Sequence, residues 1–280
     1  YGNASQPYAF SRKPKKALSE ARATIANCIG ATPEEIYFTS GGTEGDNWAI
    51  KGLLEPGDQK TTITTQIEHH AVLNACNMLE RLGYPVKYLP VNVLGVMLPE
   101  TLESVITSRT NLVSVMMVNN EIGTIEPIHE LATIAHTHGS LFHTDAVQAV
   151  GHIPINVREL GIDILSSSAH KFNGPKGIGF QFIRKGTKIH SYVDGGAQEF
   201  GMRAGTESIA SIIGMSVALR KSCAYMEQTQ KKLYAMEQKF LNVLSLYGVD
   251  YIRNGATHHV PGNVNVSIRN VSGEMLLHRL

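Results

Sequence analysis

Lys171 stands in the stretch SSSAHKFNGPKG, residues 166–177, directly after the apolar run IDIL at 162–165. A surface lysine needs no such setting. Past the end of a buried strand, among hydroxyls, an imidazole and a Gly/Pro turn, an amine is placed to lose its proton and attack a carbonyl. Four further polar clusters follow apolar runs in the same way: GGTE (41–44), EHH (68–70), NNE (119–121) and DAVQ (145–148).

Each cluster admits a chemical and a purely structural role. SGGTEGDN (40–47) is a glycine turn opening a helix. The backbone N–H groups at Gly42 and the Thr43 hydroxyl could hold a phosphate. Alternatively, Thr43 and Asp46 have the spacing of a capping box. His69 begins a helix and could stack on a flat aromatic ligand, or be structural. Asp145 ends the run LFHTD and, as a carboxylate at a buried edge, needs a partner. A protonated ring nitrogen would serve, as would an arginine or a helix N-terminus. Gln148 can reach the same ligand, and Asn120 offers a donor and an acceptor. An amine, a carboxylate, an imidazole and a phosphate cradle together describe a pyridoxal phosphate site. Lys171 would hold the aldehyde as a Schiff base and Asp145 would keep the pyridine nitrogen protonated. Ser168 and His170 would join Thr43 around the phosphate.

The elements that must carry these groups are short β-rich runs alternating with helical patterns. Strands are expected at 35–40, 61–67, 86–91, 112–118, 141–145, 162–167 and 178–183. Helical segments are expected near 43–54, 69–82, 99–108 and 128–138, with a shorter turn near 156–160. This pattern gives an α/β fold with a mostly parallel seven-stranded sheet covered on both faces. Only the turn FNGPKG links the last two strands, which leaves the seventh free to run antiparallel. KKALSEARATIANCIG (15–30) is an amphipathic helix closed by Gly30. A proline-free helical pattern from about Glu207 to Leu246, broken or bent along its length, leads to a strand in NVNVSI (263–268). The polar clusters therefore fall at strand carboxyl ends, the edge where open α/β sheets bind ligands.

Composition narrows the partners. The formal charge of +1 gives no reason to expect nucleic acid or an anionic membrane, and the run SRKPKK (11–16) reads as a solvated face. No stretch approaches the roughly 18 apolar residues of a membrane span. Cys28, Cys76 and Cys223 lie far apart along the chain and form no CxxC pair. They read as small buried hydrophobes in a reducing cytoplasm. The remaining histidines show no metal constellation, so no metal site is expected.

Taken in order, TSGGTEGDNWAIKG, IEHHAVLNAC, MVNNEIGTIEPI, HTDAVQAVGHIPI, SSSAHKFNGPKGIG and GGAQEFGMRAGTES closely resemble the cysteine desulfurases, pyridoxal phosphate enzymes of the class V aminotransferase group. The resemblance covers essentially the whole chain. It implies an aspartate-aminotransferase-like large domain, here 1–225, then a connecting helix and partial small domain at 226–280. It also implies a homodimer and conversion of L-cysteine, or a related amino acid, to alanine. The sulfur would pass as a persulfide to an acceptor or scaffold protein. Related class V enzymes acting on selenocysteine or a sulfinate, a transaminase, or an inactive cofactor-binding remnant are the alternative readings. By motif, Lys171 would be the Schiff-base lysine and His69 the ring-stacking residue. Asp145 would pair with the pyridine nitrogen, Gln148 and Asn120 would lie near the ring hydroxyl, and Thr43, Ser168 and His170 would bind phosphate. Thr206 would reach the partner subunit's phosphate. The family's persulfide cysteine and carboxylate-binding arginine match no position here, so the 280-residue chain is expected to be inactive or weakly active alone. Phe200 stands where an arginine is usual, and Tyr8 where a histidine is usual.

Overall fold

The computed structural model describes residues 2–6, 8–57 and 59–279. Seven strands form one sheet: β1 (Ile36–Thr39), β2 (Thr61–Thr65), β3 (Val86–Leu89), β4 (Thr110–Ser114), β5 (Leu141–Asp145), β6 (Ile164–Ser168) and β7 (Gly179–Ile183). Their spatial order is β1-β7-β6-β5-β4-β2-β3. The five strands from β6 to β3 are parallel, whereas β7 runs antiparallel to both β6 and β1. The tight turn before β7 has no room for a crossover, so reversal is forced. Every residue of β6 and β7 is buried, as in a sheet covered on both faces.

The helices are α1 (Arg12–Ile29), α2 (Gly42–Lys51), α3 (His70–Arg81), α4 (Pro99–Glu103), α5 (Ile128–Thr137), α6 (Ile209–Ala224), α7 (Met226–Leu246) and α8 (Gly273–Leu277). Leu18 and Ile25 of α1, Ala132 of α5 and Met215 of α6 belong to the largest apolar core. Ile50 of α2 joins Val72 and Leu79 of α3 in a second core with Leu112 of the sheet. Gly30 ends α1 in the left-handed conformation at φ 70°.

Several boundaries differ from the expected ones for local reasons. Helix α4 stops at Glu103 rather than near 108, with the Ser104 hydroxyl bonded to the Thr101 carbonyl and Ile106 turned into the core. Strand β4 begins two residues early. Past Ser114 its backbone still bonds the neighbouring strand, Val115 N–H to His143 O at 3.1 Å and Met117 N–H to Asp145 O at 2.9 Å. The long helical pattern breaks at Tyr225, between α6 and α7. The expected strand at 263–268 shrinks to β9 (Val266–Ile268), paired antiparallel with β8 (Tyr251–Arg253). The side chains of Asn263 and Asn265 instead donate to Asn120 O and Glu121 O, both at 3.1 Å, tying this segment to the loop after β4.

The three cysteines are free thiols. Although far apart in the chain, Cys28 on α1 and Cys223 on α6 lie near enough for each thiol to shift the other. Cys76 is fully buried in the α2–α3 core. No described helix is long and apolar enough to cross a membrane.

Candidate active site

The clusters converge on one cleft of about 690 Å³ at the carboxyl edge of the sheet. Its floor is Asp145, the last residue of β5, which is only 5% exposed. Its walls and rim bring together Gly42, Thr43, His69, Asn120 and Gln148 with Ser168, His170 and Lys171. Lys171 sits in a single 3₁₀ turn, Ala169–Phe172, directly after β6. Lys171, His69 and Thr43 are solvent-accessible while Asp145 is buried. A ligand entering the cleft thus meets the amine and imidazole before the carboxylate.

Backbone geometry fixes the cradle. Helix α2 starts with Gly41 as its N-cap and no side-chain cap bond, so the Thr43–Asp46 capping box does not form. Its first N–H groups are left for a ligand. A Cβ on Gly42 would lie 2.4 Å from Val147 Cγ2, so only glycine lets this turn approach the β5 end. His69 is the N-cap of α3, its Nδ1 accepting the Ala71 N–H at 3.1 Å. That bond places the neutral ring's proton on Nε2. Ser168 Oγ and His170 Nδ1 are 2.9 Å apart.

The electrostatics suit a cationic aromatic ring. Burial raises the Asp145 carboxyl above its usual range, opposed by the Val147 N–H and by the charge of Lys171. Val147 N donates to Asp145 Oδ1 at 2.9 Å. Burial and the nearby charges of Lys171 and Lys176 lower His170, which favours its neutral form. Beneath the cleft, burial drives His143 down to about 3 and Glu68 up to about 8. A buried carboxylate with a lysine along the same walls, and a glycine cradle with unsatisfied N–H groups, fits a flat phosphorylated ring carrying a basic nitrogen.

Thr206 is not among the cleft residues. It lines a separate, smaller pocket with Phe38, Ser40 and Arg203. None of the three cysteines lines the cleft. Phe200 is 63% exposed, held at φ 58°, with its ring edge-on to Tyr37 at 6.0 Å. Tyr8 is 49% exposed. Neither touches the cleft.

Lys176 and Asp46 are among the cleft residues that the sequence reading did not assign to the site. Lys176 lines it because the GPKG turn folds back over the β6 end; only the turn composition hinted at this. Asp46 lines it as well, because it lies four residues after Gly42 on the inward face of α2.

This combination, a mostly parallel sheet with an amine, a buried carboxylate and a helix N-terminus around one cleft, is similar to that of the fold type I pyridoxal phosphate enzymes. The chain belongs to the aminotransferase class-V family, matched over residues 1–280. Within that family it is similar to cysteine desulfurases. It is 48% identical to the cysteine desulfurase IscS of Dictyoglomus turgidum, over 99% of this chain and 71% of that protein. A solved NifS-like protein superposes with a TM-score of 0.95 at 36% identity, over 99% of this chain and 77% of the other. A structure of SspA in complex with cysteine gives a TM-score of 0.86 at 34% identity, over 96% and 76% of the two chains. The family implies pyridoxal phosphate as cofactor.

Proposed function

We propose that this chain holds pyridoxal phosphate as the cofactor-binding part of a cysteine desulfurase, an enzyme that takes sulfur from L-cysteine to leave L-alanine and passes it to an acceptor as persulfide; the cysteine that would form the persulfide matches no position of this chain. The observation that carries this reading is the presence of Lys171 and Asp145 on one cleft, with His69 and the α2 N-terminus at its rim. When bound, the cofactor supplies an electron sink for the substrate Cα.

The chain's own residues divide the remaining work. The Lys171 amine would hold the cofactor's aldehyde carbon and would move the proton at the substrate Cα. Asp145 holds the ring nitrogen protonated, and His69 covers one ring face. Gln148 and Asn120 orient the ring hydroxyl. Gly42, Thr43, Ser168 and His170 bind the phosphate. In a homodimer, Thr206 completes the partner's phosphate site, which accounts for its position outside this chain's own cleft. Residues 1–225 form the cofactor domain in this reading, and 226–280 the connecting helix with part of a small domain. The three free thiols suit a reducing compartment such as the cytoplasm.

Adding pyridoxal phosphate to the purified protein is expected to give a visible absorption band that Lys171→Ala abolishes. Sulfide and alanine release from L-cysteine is measured alongside, and little or none is expected from the 280-residue chain alone. An unchanged spectrum in the Lys171→Ala protein would refute the assignment.

A further inference from the structure

The cleft floor holds a second carboxyl that the roles above leave unused. Asp46 is 1% exposed, and its Oδ1 has no hydrogen-bond partner. An oxygen of Asp46, an oxygen of Asp145 and a ring nitrogen of His69 all lie within 4.8 Å of one another. Gly45 makes this possible. A Cβ there would sit 2.3 Å from Gln181 Oε1 and 2.9 Å from Ser166 Oγ, so α2 rests directly on β6 and β7 and brings Asp46 into the floor.

The groups facing Asp46 decide its charge. From β5 come Asp145 and His143, whose Nε2 is 3.7 Å from Asp46 Oδ1. His143 is fully buried, its ring held between Ser114 Oγ at 2.8 Å and Ser166 Oγ at 3.0 Å. Burial keeps it neutral at physiological pH. From β6 comes the Ser166 hydroxyl, which favours the charged form of Asp46; Asp145 and Glu68 oppose it, and burial opposes it most. Among the described residues no cation pairs with Asp46, so an ionised Asp46 would be a buried anion beside a second anion. Asp145 differs. It has the Val147 N–H and the charge of Lys171. Two carboxyls in one dry space settle a single negative charge on the better-solvated member.

We propose that Asp46 carries the proton of a two-carboxyl pair whose one negative charge stays on Asp145. Asp46 is then a positioning residue: it keeps the charge beneath the ring nitrogen single and located. One carboxylate faces one pyridinium, with no surplus anion to recruit other cations. The consequence for the ring rests on the pyridoxal phosphate reading; the location of the proton does not.

The test starts with cofactor-free protein at neutral pH. Infrared difference spectra between wild type and Asp46→Asn are expected to show loss of a protonated carboxylic-acid carbonyl band. Loss of a carboxylate band instead would overturn the proposal. If Asp46→Asn does not fold, Asp46→Ser is read in the same way. The second arm is titration with pyridoxal phosphate. Asp145→Asn is expected to weaken binding at least about tenfold more than Asp46→Asn does. Equal losses would mean that both carboxyls are ionised against the ring, and would overturn it too. A wild-type protein that binds no pyridoxal phosphate would sink the proposed function, while the infrared arm still decides where the proton lies.

Discussion

Arg203 grips Glu44 with both ends of its guanidinium, Nε to Oε1 at 2.7 Å and Nη2 to Oε2 at 2.9 Å. Glu44 Oε2 also accepts the Ser40 N–H at 2.8 Å. Burial would raise the Glu44 carboxyl, but the Arg203 and Ser40 hydrogen bonds hold it below the usual carboxylate range. The loop that carries Thr206 is thereby tied to the turn that carries Thr43, through one planar fork.

Arg203→Lys keeps the charge and removes the fork, because an ammonium cannot satisfy both oxygens in one plane. The α2 N-terminus then loses its anchor. Pyridoxal phosphate is expected to bind roughly tenfold more weakly, equivalent to about 1.4 kcal/mol. Absorbance titration of the two proteins checks this, and equal affinities would show that the fork does not shape the cradle.

Glu68 should make the cofactor-free protein less stable as pH rises. Its carboxyl is fully buried and pushed up from 4.5 to about 8, first by burial, although Thr65 and the Met116 N–H hydrogen-bond to Oε1. Below about 4.5 both folded and unfolded states hold the proton. Between there and about 8 only the folded state does, so the unfolded state gains as pH rises. Glu68→Gln keeps the acceptor oxygen and cannot ionise. Above pH 8 it is expected to be more stable than wild type by on the order of 2 kcal/mol, with little gain at pH 5. Glu126, raised to about 7 by burial, contributes with the same sign, so the slope shrinks without vanishing. Urea unfolding at both pH values tests this; a difference independent of pH would contradict it.

The thiol pair should react unevenly. The neighbouring Cys28 thiol lowers Cys223, whereas Cys223 and burial raise Cys28. Burial raises Cys76 to about 12. Limited alkylation is expected to label Cys223 ahead of Cys28, and Cys76 only on unfolding, because the thiolate is the reacting form. Peptide mapping of the labelled protein gives the order, and early labelling of Cys28 would contradict it.

The site was more legible than the fold's edges, for a physical reason. Lys171, Asp145, His69 and Thr43 each follow a strand, and a parallel sheet places strand ends along one rim whatever the exact boundaries. Strand limits depend on local side chains, as with Asn263 and Asn265, whose amides bind the loop after β4 and leave β9 only three residues. Asp46 was readable only as a cap, because its inward direction depends on how closely Gly45 lets α2 approach Ser166 and Gln181. The meeting of Cys28 and Cys223 depends on α1 packing against α6, a long-range contact that local patterning does not encode.

The account turns on which amine takes the cofactor, since Lys171 and Lys176 both line the cleft. Borohydride reduction of the protein loaded with pyridoxal phosphate, followed by peptide mass spectrometry, fixes the ring to the lysine that holds it. The account predicts a single pyridoxyl group on Lys171, absent when Asp145 is replaced by Ala and the ring is no longer held. A group on Lys176, or scattered over surface lysines, would contradict it.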